Sequence, residues 1–191
     1  MRIQARIDAF AELGEILRNS LSGEEDTRAT GLHELINTQQ TINPWFTPEN
    51  VTASVKAIAE ELTPQNLFQW TDNYPHLQID SKPVTAGIIM AGNIPLAGFH
   101  DFLSVLISGN HLIAKTSSKD SALIVKLGEI LCSIESGFRE RIKFTDGQLK
   151  NFDVIIATGS NNSSRYFEQY FGKYPHIIRK NRNSIAIIEG N

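Results

Sequence analysis

Apolar residues recur along the first 80 positions at helical spacing. Ile3, Ile7, Phe10, Leu13, Ile16 and Leu17 stand mostly three or four apart, which gathers them on one face of a helix. Gly23 and the acidic Glu24-Glu25-Asp26 interrupt that pattern. Thr47-Pro48-Glu49 and Thr63-Pro64-Gln65 each set a hydroxyl before a proline. The hydroxyl can cap a helix, and proline suits the first helical position because its missing N–H has no intrahelical partner there. Val51, Val55, Ile58, Ala59 and Leu62 supply the apolar stripe of the helix between them. From about residue 81 the period changes. Short apolar runs predict strands over 84–91, 112–115, 153–157, 176–179 and 185–188, with 141–144 a less apolar candidate. Helices are predicted over 96–107, 121–134 and 163–171. Alternating strand and helix predicts an α/β fold: a doubly wound, Rossmann-like parallel sheet over 81–191, preceded by a helical segment over 1–80.

Composition narrows the function without naming it. The chain has 191 residues, 41% hydrophobic and 20% charged, which is an ordinary globular balance. A formal net charge of -3 and the absence of any Lys/Arg run argue against nucleic acid as a partner. The single cysteine, Cys132, excludes an internal disulfide and a thiolate-rich metal site. His33, His76, His111 and His176 are too scattered to suggest a metal site. The start, Met1 to Arg6, is charged and lacks the apolar core of a signal peptide. No stretch reaches the roughly 18 apolar residues of a membrane span. A soluble, reducing, cytoplasmic setting is the expectation, and a homo-oligomer is left open.

Three strand ends carry the candidate chemistry. The first runs through Gly87 to Ala91 into Gly92-Asn93-Ile94-Pro95-Leu96. Asn93 can cap the next helix, with Pro95 in its first turn, or can present its amide to a ligand, because open α/β sheets bind ligands beyond the carboxyl ends of their strands. The second runs from His111 to Lys115 and continues as Thr116-Ser117-Ser118-Lys119-Asp120. Ser117 with Asp120 reads as a capping box for the following helix. Lys115 is either a solvated cation or a holder of ribose hydroxyls or phosphate. The third runs from Asp153 to Ala157 into Thr158-Gly159-Ser160 and a helix. Glycine lets backbone approach a ligand, a helix N-terminus offers amides to an anion, and Ser160 adds a hydroxyl. Neither G-x-G-x-x-G nor G-x-x-x-x-G-K-[ST] is present.

Taken in order, Gly92-Asn93-Ile94-Pro95-Leu96, Gly109 through Lys115 and Ala157-Thr158-Gly159-Ser160 resemble the nucleotide-binding half of the aldehyde dehydrogenase superfamily. Gly98-Phe99-His100-Asp101-Phe102 is similar to the LuxC-like acyl-CoA reductase branch. The resemblance covers about residues 84 to 191. It implies reduction of a fatty acyl-CoA thioester to aldehyde with NAD(P)H, through a cysteine thioester. It implies that Asn93 steadies the oxyanion, that Lys115 binds the adenosine ribose, and that Gly159 and Ser160 contact the pyrophosphate. The family's nucleophilic cysteine lies beyond residue 191, so this chain is expected to be a nucleotide-binding fragment that is inactive alone.

Two departures from the family refine the expectation. Many NAD-using members carry a glutamate three residues after the lysine, where this chain has Ser118 followed by Lys119. Losing the anion and gaining a cation favours a 2′-phosphate, so NADPH is the expected cofactor, with NADH possible. The general-base glutamate of hydrolytic members aligns with Arg179, which suits a reductase that must avoid hydrolysis. Arg179, Lys180 and Arg182 form either a solvated basic loop or a phosphate patch. Cys132, among Leu127, Ile130, Leu131 and Ile134, reads as buried filler, and His100 and Asp101 read as structural. The alternatives are another aldehyde or semialdehyde dehydrogenase branch and a non-catalytic nucleotide-binding or interaction module.

Overall fold

A computed structural model describes residues 1–24, 26–79 and 82–180. Four helices come first: α1 (Ile3–Leu21), α2 (Leu32–Thr38), α3 (Pro48–Glu61) and α4 (Pro64–Asp72). Thr47 and Thr63 cap α3 and α4, accepting from the amides of Asn50 at 3.3 Å and Asn66 at 3.2 Å. An alternating region follows: β1 (Thr85–Ile89), α5 (Phe99–Ile107), β2 (His111–Lys115), α6 (Ala122–Ile134), β3 (Ile142–Thr145), β4 (Val154–Thr158), α7 (Asn161–Phe171) and β5 (His176–Arg179). The strand expected over 185–188 lies outside the described residues.

The five strands form one parallel sheet in the order β3-β2-β1-β4-β5. The chain winds outward from β1 through β2 to β3, returns to the other side of β1 as β4, and continues to β5. The winding therefore reverses between β1 and β4, the place where a doubly wound sheet opens a crevice. Register is even: Ile89 lies beside both Lys115 and Ala157, Lys115 beside Thr145, and Thr158 beside Arg179. All five carboxyl ends thus emerge along one edge.

The core explains why the sheet sits against the helices. The predicted face of α1 is buried, with Phe10, Leu13 and Leu17 fully enclosed. Phe10 meets Phe102 of α5 and Phe138 edge-on, at 6.3 and 5.7 Å between ring centres. Phe102 in turn stacks on Phe144 of β3 at 6.2 Å. This aromatic chain runs from the first helix to the edge of the sheet within one continuous apolar core. Two glycines let neighbouring elements close on each other. A side chain at Gly14 would stand 2.3 Å from the Leu62 carbonyl oxygen, and one at Gly128 would stand 2.8 Å from the Phe144 ring. At the amino edge of the sheet, two arginines satisfy carbonyls at the end of α5 and in the turn just after it. Arg6 Nε donates to the Ile107 carbonyl at 2.8 Å, and the Arg141 guanidinium donates to the Gly109 carbonyl.

Three local expectations are corrected. The helix after β1 begins at Phe99 with Gly98 as its cap residue, not near Leu96, so Asn93 caps nothing and Pro95 is not in its first turn. The chain between β1 and α5 instead makes a turn in which Leu96 takes the left-handed φ of 59°. Ser117 and Asp120 do not box the start of α6, which begins at Ala122 after Ser121 without a side-chain cap. Helix α7 starts two residues earlier than expected, because Ser160 caps it by accepting from the Ser163 amide at 3.2 Å.

The close seating of α1 on α3 gives a direct test. Gly14→Ala forces its methyl against rigid Leu62 backbone and should lower folding stability by about 1–3 kcal/mol, seen as an earlier denaturant midpoint with an unchanged slope.

Candidate functional site

The turns after β1 and β4 face each other across a cleft of about 830 Å³ at the winding reversal. Ala91, Gly92, Asn93 and Ile94 form one wall; Thr158, Gly159 and Ser160 form another. His100 and Asp101 from the start of α5, and Arg179 and Lys180 from the end of β5, complete it. Asn93 and Ser160 are exposed to solvent. The structure thus brings Asn93, Gly159 and Ser160 into one cleft.

Lys115, Ser118 and Lys119 lie outside this lining, on the neighbouring turn after β2. Lys115 stands at the strand end beside Ile89, and its Nζ donates to the carbonyls of Asp146 at 2.5 Å and Gly147 at 2.8 Å. Ser118 and Lys119 are exposed, and the Lys119 amide donates to Ser117 Oγ at 3.2 Å. The six candidates therefore share the carboxyl edge of the sheet and divide into a cleft group and a flanking group.

The two turns are in contact. A side chain on Gly92 would fall 2.2 Å from Ser117 Oγ, so only glycine permits this approach. Asp120 reaches across: its Oδ2 accepts from the Leu96 amide at 2.8 Å, in the turn that carries Asn93. Asp120 is 4% exposed. Burial pushes its carboxyl up to about 6, against the opposing pull of the Leu96 and Ala97 amides. A side chain from the helical segment supports the same turn, since Asn43 Nδ2 donates to the Gly92 carbonyl at 3.4 Å.

The basic loop is not the free patch its sequence suggested. Arg179 Nη1 binds both carboxylate oxygens of Asp101 at 2.7 Å, and Lys180 pairs with Glu168 at 2.7 Å. Asp101 is buried, so the pair ties α5 to β5 across the winding reversal. Arg182 lies outside the described residues. Trp70 of α4 stacks on His100 at 6.1 Å between ring centres. Cys132 is half-buried against the core, and burial pushes its thiol up, away from the ionised form a nucleophile needs. Sequence reasoning missed the roles of Asp120, Asn43 and the Asp101–Arg179 pair. Each acts through a partner far along the chain, and no local pattern announces it.

No protein-family model and no curated protein matches the sequence. Among solved structures, aldehyde dehydrogenase 21 from Physcomitrella patens, determined in complex with the reaction product succinate, matches with a TM-score of 0.61 at 15% sequence identity. The match covers 96% of this chain and 41% of that one. The fold is that of an aldehyde dehydrogenase. This chain spans less than half the length of that protein, and the match includes the N-terminal helices as well as the sheet. Among the described residues, no helix is long and apolar enough to cross a membrane.

Asp120 makes the stability of this aldehyde dehydrogenase fold depend on pH. Its folded value of about 6 exceeds the ordinary 3.8, so the folded state holds the proton more tightly than the unfolded state. Its contribution is fully present below the unfolded value and is lost as pH rises through about 6. Wild type should therefore gain up to about 3 kcal/mol relative to Asp120→Asn as pH falls from neutral to acid. Denaturant unfolding of both proteins across that range checks this, and a pH-independent difference would contradict it.

Proposed function

We propose that this chain is the dinucleotide-binding part of an NADPH-dependent acyl-CoA reductase of the aldehyde dehydrogenase type, reducing a fatty acyl thioester to aldehyde. The observation that carries the reading is the meeting of the Asn93 turn and the Thr158-Gly159-Ser160 turn in one cleft at the winding reversal. Open α/β sheets bind nucleotides at that position.

The donor set suits such a ligand. Gly159 lets α7 seat closely behind the turn, since a side chain there would stand 2.9 Å from Phe167 and Ser163, and Ser160 offers a hydroxyl where α7 directs its positive end. Those groups suit a pyrophosphate. On the flanking turn, Lys115 can exchange its two carbonyl partners for ribose hydroxyls. Ser118 and Lys119 suit a 2′-phosphate, since neither repels an anion and Lys119 attracts one. A bound NADPH supplies hydride. Asn93, exposed in the cleft, donates its amide to the oxygen of the acyl group as charge develops there. The acyl group would be held by a cysteine that this chain does not contain, taken over from an acyl-CoA substrate.

Reduction rather than hydrolysis is favoured by Arg179. The position that resembles the family's general base holds a guanidinium locked to Asp101, which cannot take a proton from water. A cytoplasmic setting accords with this chemistry.

Titration of the chain with NADPH and NADH tests the reading. NADPH should bind more tightly. Ser118→Glu should weaken NADPH by about tenfold or more and NADH much less, and Lys119→Ala should weaken NADPH alone. Equal responses of the two cofactors would remove the basis for NADPH, and binding of neither would remove the dinucleotide reading. The chain by itself should not turn over acyl-CoA with NADPH. Turnover abolished by Cys132→Ala would overturn the placement of the nucleophile elsewhere.

A further inference from the structure

The turn between β1 and α5 is an awkward piece of backbone. Leu96 holds a left-handed φ of 59°, a conformation that costs a branched side chain energy and persists only where neighbours enforce it. Leu96 is itself buried, so its amide must find a partner inside the protein. That partner is Asp120 Oδ2, at 2.8 Å and 24 residues away. The other oxygen, Oδ1, is buried without a hydrogen-bond partner among the described residues.

We propose that Asp120 is a positioning residue for Asn93: its carboxylate, holding the Leu96 amide across the gap between the β1 and β2 turns, sets the turn that presents Asn93 and couples it to the Ser118–Lys119 segment. The inference rests on the dinucleotide reading for the roles of Asn93, Ser118 and Lys119, while the contact itself does not depend on that reading.

Three observations converge on it. Gly92 touches Ser117 so closely that a methyl group would collide, so neither turn can shift without moving the other. The Asp120 amide also donates to the Ser117 carbonyl at 3.1 Å, which folds the second turn back on the carboxylate. The charge sits where burial opposes it, and burying charge at a cost is characteristic of functional sites. The segment from Ala91 to Gly98 has no ionisable side chain. The titratable and charged groups on the adjoining elements are Lys119 on the same turn, Lys115 at the end of β2, His100 and Asp101 at the start of α5, and Lys126, Glu129 and Cys132 on α6. Burial and the two backbone amides, not these side chains, move the Asp120 carboxyl. A ligand that orders Ser118 and Lys119 therefore also stiffens the presentation of Asn93.

The test follows the backbone amides of Leu96 and Ala97 by nuclear magnetic resonance in the full chain. In wild type both signals should titrate with a midpoint of about 6. In Asp120→Asn, which keeps size and an acceptor oxygen, the titration should vanish. In Asp120→Ala, hydrogen exchange at Leu96 should accelerate about tenfold or more. NADPH affinity should fall several-fold in Asp120→Ala and be largely kept in Asp120→Asn, a conservative rescue that mere loss of stability would not produce. If Asp120→Ala does not fold, Asp120→Asn decides through the titration alone. A Leu96 titration that persists in Asp120→Asn overturns the proposal whatever the nucleotide does. A titration lost in Asp120→Asn, with no NADPH affinity even in wild type, leaves Asp120 as the support of the turn and removes only the dinucleotide reading.

Discussion

β1 is the strand on which the cleft depends. It pairs in register with β2 on one side and β4 on the other, and Ala86, Gly87 and Ile88 are buried. A strand placed there must be small or apolar on both faces. Gly87 meets that demand most tightly, because a side chain at this position would stand 3.0 Å from Ile155 and 3.2 Å from Phe152. Fixing β1 between its neighbours fixes where three chain segments leave the sheet. The cleft is the space left between two of them, and the flanking turn is the third. The chemistry proposed for this edge thus rests on hydrophobic packing several residues before Asn93 and Ser160.

The helical segment and the sheet share this dependence. α1 packs on α5 through Phe10 and Phe102, whose ring stacks on Phe144, and also lies against α6, while Asn43 reaches the Gly92 carbonyl. The Asn93 turn is therefore supported from two directions, by the neighbouring turn and by a segment that precedes the sheet in sequence. Charges reinforce the arrangement from the far side. Asp101 and Arg179 join α5 to β5 across the reversal, and because Asp101 is buried, losing Arg179 would leave its carboxylate uncompensated.

The parts legible in the sequence were those governed by local pattern. Apolar runs located all five described strands within a few residues, and the Thr-Pro pairs located α3 and α4. The carboxyl ends of β1, β2 and β4 marked the candidate residues because strand polarity alone places them on one edge. Local pattern failed where distant partners decided. Asn93-Ile94-Pro95 looks like a helix start, yet the Asp120 carboxylate draws the Leu96 amide aside and delays the helix to Phe99. Ser117 through Asp120 has capping-box spacing, yet its carboxylate is committed to the other turn. Arg179 and Lys180 look like loose cations because Asp101, 78 residues earlier, and Glu168 are not visible in their own stretch.

The placement of Arg6 bears on how this chain is made. Its guanidinium closes the end of α5 at Ile107, 101 residues downstream, and the Phe10 beside it waits for Phe102 and Phe138. A helix made about a hundred residues before its partners therefore spends much of that interval with part of its apolar face uncovered. α2 and then α3, which closes on Gly14 through Leu62, are the early partners able to shelter it. The interval before α5 and α6 appear is a window in which that face is open to chaperones and to other chains. On this account the early helices form a provisional core of their own, later enlarged by the sheet, and the order of the elements along the chain becomes an order of events.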